Sequence, residues 1–132
     1  MEESAESVGH ARHYTVEQAN AALPWVSDRL DRIRDALGEL LSPESAKALE
    51  LIDTDQGGGY PGRAAAGATL ALMAAASELQ AADVVLRDPQ SGLIDFPSIR
   101  DGEEVYLCWR PGEDRVAWWH APEAGFAGRR PL

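Results

Sequence analysis

The chain contains a single cysteine, Cys108, so it cannot form a disulfide within itself. It has no apolar run near the roughly 20 residues of a membrane-spanning helix, and no charged-then-apolar leader opens it. Basic residues are scarce: 12 lysines and arginines face 22 aspartates and glutamates, which gives a net charge of −10. This charge disfavours binding to nucleic acids and to anionic membranes. We therefore expect a cytoplasmic protein with no nucleic-acid or membrane partner.

The sequence also lacks the motifs of common cofactor sites, because no phosphate-binding loop, dinucleotide fingerprint or hydrolase triad is present. Its 132 residues suffice for one hydrophobic core and leave little room for a second. Residues 1–13 are polar and acid-rich without helical periodicity, which predicts a disordered tail that contains His10 and His13. The remaining residues, 14–132, are predicted to form a single domain.

Two long helices are predicted after this tail. Thr15 and Gln18 have the spacing of a capping box, and apolar residues then recur at three- and four-residue intervals as far as Leu40. Pro24 lies inside this first helix and predicts a kink. The pattern further predicts a short helix over 44–52, a flexible connection over 53–62 and an alanine-rich second helix over 63–83. The two long helices should form an antiparallel hairpin.

The last forty residues alternate apolar and polar side chains between turn signals, which is typical of an antiparallel meander of three or four strands. A two-residue Asp-Gly turn pairs Asp95 with Cys108. Counting through the following turn pairs Val105 with His120. The predicted fold class is therefore α+β, with a helical hairpin, kinked in its first helix, packed on the meander.

This register assigns the strand side chains to two faces of the sheet. The face predicted to pack on the helices carries Val85, Ile94, Phe96, Val105, Leu107, Trp109, Val116, Trp118 and His120. The other carries Asp95 and Cys108 among mainly apolar neighbours: Val84, Leu86, Leu93, Tyr106, Ala117 and Trp119. Because this second face is too apolar for free contact with water, we expect a second copy of the chain to cover it in a homodimer.

Five segments match a known pattern in the same order along the chain: Thr15–Pro24, Gly92–Pro97, Leu107–Arg110, Trp119-His120 and Gly125–Leu132. Together they resemble the bacterial domain-of-unknown-function family numbered 2203 over residues 14–132. The resemblance implies a small stand-alone bacterial protein, and it brings no agreed activity from which a catalytic residue could be transferred. The glycine- and alanine-rich stretch 56–76 departs from the more charged helical hairpin that the family pattern implies.

His120 is the strongest candidate for a functional side chain. A histidine at the end of a core-facing strand lies where its protonation and metal affinity can be tuned. With Asp95 and with Glu17 or Glu78 it could supply nitrogen and carboxylate ligands to zinc, iron or manganese. The alternative is a packed ring that hydrogen bonds to a carbonyl or a carboxylate, because no ligand pair has the tight spacing of a metal motif.

Asp95 needs a partner, because a carboxylate in an apolar strand is costly unless it is paired. The sequence offers Arg110, Arg129 or Arg130 as that partner, and a general base or metal ligand as the functional alternative. Cys108 is interpreted as a packing residue, because a neighbouring carboxylate raises the pKa of a thiol. Arg129 and Arg130, flanked by glycines, are also candidates for an anion site.

Two classes of function remain open from the sequence, and no catalytic residue is assigned in either. One is a dimeric module that binds a small ligand or a protein through the apolar sheet face and the terminal arginines. The other is a small metal-dependent enzyme or metal-binding protein with His120, Asp95 and Glu17 or Glu78 as ligands. The sequence favours the module, because its candidate metal ligands are not spaced as a motif.

Overall fold

The protein has the α+β fold that the sequence predicts. The computed structural model describes residues 10–42 and 60–132. The elements in chain order are helix α1 (Val16–Leu40), helix α2 (Tyr60–Ala81), strands β1 (Val85–Asp88), β2 (Leu93–Arg100), β3 (Glu103–Trp109) and β4 (Trp118–His120), a 3-10 turn (Phe126–Gly128) and strand β5 (Arg130–Pro131). The strands form one antiparallel sheet in sequential order. A short C-terminal strand is thus added to the predicted meander.

The first helix begins as its capping box predicts. The Thr15 hydroxyl accepts the backbone N–H of Gln18, and the Gln18 side chain accepts the N–H of Thr15, both at 3.0 Å. The helix continues through Pro24 as one element, and the kink stays a prediction. The Tyr14 hydroxyl donates to the Ala82 carbonyl at 2.6 Å, which places the start of α1 beside the end of α2 in an antiparallel hairpin.

The helix predicted over 44–52 and most of the connection 53–62 lie outside the described residues, as do residues 1–9 of the predicted tail. Within the described part, α2 begins three residues earlier than predicted. His10 and His13, which the prediction placed in the tail, both contact the domain. His10 Nε2 lies 2.9 Å from the Tyr106 hydroxyl, and His13 Nε2 lies 3.0 Å from the Glu104 carboxylate.

The helices pack on one face of the sheet, and the core lies between them. Its buried members are Tyr14, Ala19, Val26, Leu30, Ile33, Ala75, Leu79, Val84, Ile94, Phe96, Leu107, Trp109 and Val116. The prediction that placed Val85 in this core is wrong, because Leu86 pairs with Ile94 and packs there instead. No helix in the two described ranges is both long and apolar enough to cross a bilayer.

The register of the β2–β3 pair is as predicted, with Asp95 opposite Cys108. The predicted register of the β3–β4 pair is wrong by one residue, because His120 pairs with Tyr106 rather than with Val105. The side chains of a strand alternate between the two faces of a sheet, so a slip of one residue reverses every assignment. His120, and Trp118 with it, therefore lie on the face away from the helices.

The slip arises in the connection between β3 and β4, which is not a regular hairpin turn. Val116 leaves the sheet and is buried in the core, and its N–H donates to the Asn20 side chain on α1 at 2.8 Å. The Trp109 indole and the Arg110 N–H are both bonded to Glu113, at 3.1 Å each. These contacts hold in the connection residues that a simple turn would have left in the strands.

Candidate functional site

Three potential metal ligands meet on the face of the sheet away from the helices, here called the outer face. Asp95 lies on β2, Cys108 lies opposite it on β3, and His120 ends β4. One carboxylate oxygen, the thiol sulfur and one imidazole nitrogen all lie within 4.8 Å of one another. The three residues, hereafter the Asp-Cys-His cluster, are 2%, 1% and 2% exposed. Strand pairing alone thus brings three chemically different ligands into one buried site.

The two oxygens of the Asp95 carboxylate have different surroundings. Oδ2 accepts a hydrogen bond from Arg87 Nε at 2.7 Å and lies 3.0 Å from His120 Nε2. Oδ1 is buried and has no hydrogen-bond partner within the described residues. A buried carboxylate oxygen without a donor is unfavourable and calls for an explanation. Asp95 is therefore anchored through Oδ2, while no hydrogen-bond donor among the described residues binds the lone pairs of Oδ1.

The orientation of the His120 ring is fixed by a backbone contact. Nδ1 lies 2.7 Å from the carbonyl oxygen of Ala121, which can only accept, so Nδ1 carries a hydrogen. Nε2 then faces Asp95 across a hydrogen bond. A histidine that binds a metal commonly donates its other nitrogen to a carbonyl in this way, which directs the remaining lone pair at the ion. His120 is thus oriented with Nε2 facing the Asp95 carboxylate.

The thiol of Cys108 is kept protonated by its surroundings. Burial raises the pKa of Cys108 to about 11, a contact with Arg129 opposes part of the rise, and the charge of Asp95 and the hydrogen bonding of the thiol to its side chain add to it. Arg129 Nη1 lies 3.7 Å from the sulfur, and Nη2 donates to Glu113 at 2.6 Å. Burial alone would lower the pKa of Arg129, but the bonds to Glu113 and Cys108 outweigh it and raise the pKa. Cys108 is therefore a poor nucleophile, although a metal ion can still displace its proton.

A cavity of about 250 Å³ opens beside the Asp-Cys-His cluster. Its lining includes the three cluster residues together with Arg87, Leu93, Pro122, Glu123, Gly125 and Phe126. Residues 121–129 of the same chain thus cover part of the outer face. Burial acts to lower the pKa of Arg87, but its hydrogen bond to Asp95 and the neighbouring charges raise it. The cluster is buried and borders this cavity.

The comparisons give one result. The model of a family described as "Uncharacterized conserved protein (DUF2203)" matches residues 12–132. The chain belongs to this family. No curated protein and no solved structure matches it.

In this DUF2203 chain, two of the four ligands expected from the sequence come together, Asp95 and His120. Glu17 is exposed on the first turn of α1, and Glu78 is exposed on α2, where it pairs with Arg29 at 2.9 Å. Both glutamates lie on the helical side of the sheet, so neither joins the cluster. Their place is taken by Cys108, which the sequence analysis interpreted as packing although it correctly placed the thiol opposite Asp95.

The arginine partners expected from the sequence are also corrected. Asp95 pairs with Arg87 of β1 rather than with an arginine that follows β3. Arg129 binds Glu113, while Arg130 lies 5.6 Å from the Trp119 ring and lines a different cavity. The two terminal guanidinium groups therefore do not form one anion site. Val85 lies opposite Asp95, so Arg87, two residues further along β1, faces the same side as Asp95, whereas the sequence pattern places Val85 on the helical face.

Proposed function

We propose that this DUF2203 protein binds one divalent transition metal ion, zinc above all, at the Asp-Cys-His cluster. The observation that carries the proposal is Asp95 Oδ1, which is buried without a hydrogen-bond partner among the described residues and belongs to a carboxylate that lies beside a thiol and an imidazole. Sulfur, nitrogen and oxygen ligands together suit zinc, whereas magnesium and calcium take oxygen ligands.

The dimensions of the cluster support zinc. Zinc bond lengths of about 2.0–2.3 Å place tetrahedral ligand atoms roughly 3.4–3.6 Å apart. The cluster atoms are separated by no more than 4.8 Å, so no pair has to approach by more than about 1.4 Å. Three protein ligands leave a fourth position free, which is the arrangement of catalytic rather than structural zinc sites. The cavity lies beside the cluster and gives that position access to a small molecule.

The surroundings also match the charge of the ion. A carboxylate and a thiolate together balance the two positive charges of zinc. Arg87 holds Asp95 through Oδ2 and leaves Oδ1 for the ion, and Arg129 lies beside the sulfur, where it stabilises the thiolate. The carbonyl of Ala121 holds the imidazole. Each ligand thus has an outer contact of the kind that positions ligands in known metal sites.

The wider proposal is a small cytoplasmic bacterial protein that is either a metal-dependent enzyme or a metal-binding protein. A single thiol used as a ligand fits a reducing compartment. The homodimer expected through the outer face is a separate proposal. The homodimer is supported by Phe126, an apolar side chain that lines the cavity on this face and remains 38% exposed.

The test is a titration of the metal-free protein with cobalt(II), which takes the place of zinc and absorbs visible light. We expect one equivalent to bind, with a charge-transfer band from thiolate to cobalt. Cys108→Ser should abolish that band, and His120→Gln should weaken binding. His13→Gln is the matched control, because His13 contacts Glu104 outside the cluster and its loss should change neither. A folded wild-type protein without the thiolate band would refute the proposal.

A further inference from the structure

Arg87 connects the Asp-Cys-His cluster to the cavity. Its Nε donates to Asp95, its guanidinium carbon lies 4.9 Å from the centre of the Tyr106 ring, and its side chain is 41% exposed. A guanidinium has five N–H donors. Asp95 takes one and the Tyr106 hydroxyl engages the group as well, so donors remain for a molecule in the cavity that Arg87 lines.

The size of the cavity limits what it can hold. Its volume of about 250 Å³ corresponds to roughly eight water molecules at about 30 Å³ each, below the usual range of drug-sized ligand sites. Leu93, Pro122 and Phe126 give the lining an apolar part. A molecule that fits therefore has few heavy atoms, and an apolar portion of it has a wall to pack against.

The charges around the cavity select the kind of anion. Arg87 is the basic side chain of the lining, and Glu123 and Asp95 are its acidic side chains. A compact dianion such as phosphate would face both carboxylates together with one arginine, in a protein whose net charge is −10. A carboxylate carries a single charge and is planar, and a guanidinium binds it through two parallel hydrogen bonds.

We propose that the cavity binds a small monocarboxylate, with its charged group on Arg87 and an oxygen next to the open position of the metal ion. This inference rests on the proposed function, because a metal ion next to the cavity adds a Lewis acid that attracts such an oxygen. Arg87 would then both hold Asp95 for the ion and bind the ligand. Among the described residues that line the cavity, Arg87 is the one arginine.

The test uses cobalt-loaded protein and three probes: acetate, uncharged acetamide and inorganic phosphate. Acetate should perturb the visible cobalt bands in a saturable manner, and the other two should need at least about tenfold higher concentrations, as expected for the loss of a charge-assisted contact. Acetamide or phosphate acting at the same concentration as acetate would overturn the proposed ligand class.

Two variants separate Arg87 from the remaining arginines. Arg87→Gln should weaken the acetate response about tenfold or more, whereas Arg130→Gln, in a different cavity, should leave it unchanged. If Arg87→Gln no longer holds cobalt, the three probes on the wild-type protein still decide the question. A wild type that shows the thiolate band but does not respond to acetate refutes this inference alone, whereas absence of the band refutes the proposed function.

Discussion

Replacing Asp95 by asparagine should destabilise the metal-free protein by about 2 kcal/mol. Hydrogen bonds to charged groups contribute about 1.5–3 kcal/mol each. The Asp95 carboxylate makes two of them, at 2.7 Å to Arg87 and at 3.0 Å to His120. The bond to Arg87 counts for less, because that side chain is 41% exposed and is screened by water. The amide oxygen of asparagine also retains the neutral part of both bonds, which keeps the expected loss near the lower end.

Zinc should widen this difference, and that separates a metal ligand from a purely structural residue. A ligand at about one hundred times its dissociation constant adds about 2.7 kcal/mol to the stability of the protein that binds it. Wild type should gain this amount and Asp95→Asn should gain little, so the gap should grow from about 2 to about 5 kcal/mol. The assay is urea denaturation followed by tryptophan fluorescence, in chelator and in zinc.

The control for this experiment is Asp114→Asn, which removes an equal charge at an exposed position in the β3–β4 connection. We expect its stability to stay within about 0.5 kcal/mol of wild type in both conditions. A gap between wild type and Asp95→Asn that is the same in chelator and in zinc would contradict the reasoning. It would leave Asp95 as the centre of a structural network with Arg87 and His120.

Four further predictions complete the set. Iodoacetamide at about pH 8 should modify native Cys108 roughly two orders of magnitude more slowly than a free thiol, because the pKa of Cys108 is raised to about 11 and the residue is 1% exposed. Rapid modification without urea would contradict this prediction. Zinc should bind about tenfold more tightly for each unit that the pH rises towards that pKa, because the ion displaces the thiol proton. If chelator competition gave an affinity that does not change with pH, the thiolate would be excluded as a ligand. In chelator, the raised pKa of Cys108 stabilises the fold below about pH 8.5, and this contribution is lost as the pH rises through about 11. The free energy of unfolding should therefore fall across that window in wild type, and it should fall less in Cys108→Ala. Light scattering at micromolar concentration should give the mass of a dimer, and a mass near 14.3 kDa would exclude it.

The features that the sequence predicts correctly depend on local chemistry. The capping box at Thr15 and Gln18 involves side chains three residues apart, and its geometry does not depend on the rest of the fold. The β2–β3 register follows from a two-residue turn at Asp101 and Gly102, whose φ angles of 54° and 80° suit these two residues. In both cases few residues separate the interacting groups, so the sequence contains nearly all of the relevant information.

The features that the sequence misses depend on how strands and connections pack against the rest of the fold. Arg87 reaches Asp95, eight residues away in the chain, because β1 pairs with β2 in the register that sets Val85 opposite Asp95. Likewise, the connection before β4 is held by Asn20, which lies 96 residues away from Val116 in the chain and accepts its N–H. No local pattern in residues 110–117 reports that contact, and counting across the connection therefore fails.

The position of His120 shows how much the candidate site depends on the register of β4. In the predicted register His120 would point into the helical core, on the opposite side of the sheet from Asp95 and Cys108. The observed register places it on the outer face, 3.0 Å from the Asp95 carboxylate. Because side chains alternate with a period of two, no intermediate arrangement exists in which His120 lies partly in each place. The same residue types at the same spacing therefore give either a packed histidine or a candidate metal ligand, and the contacts of the β3–β4 connection decide between them.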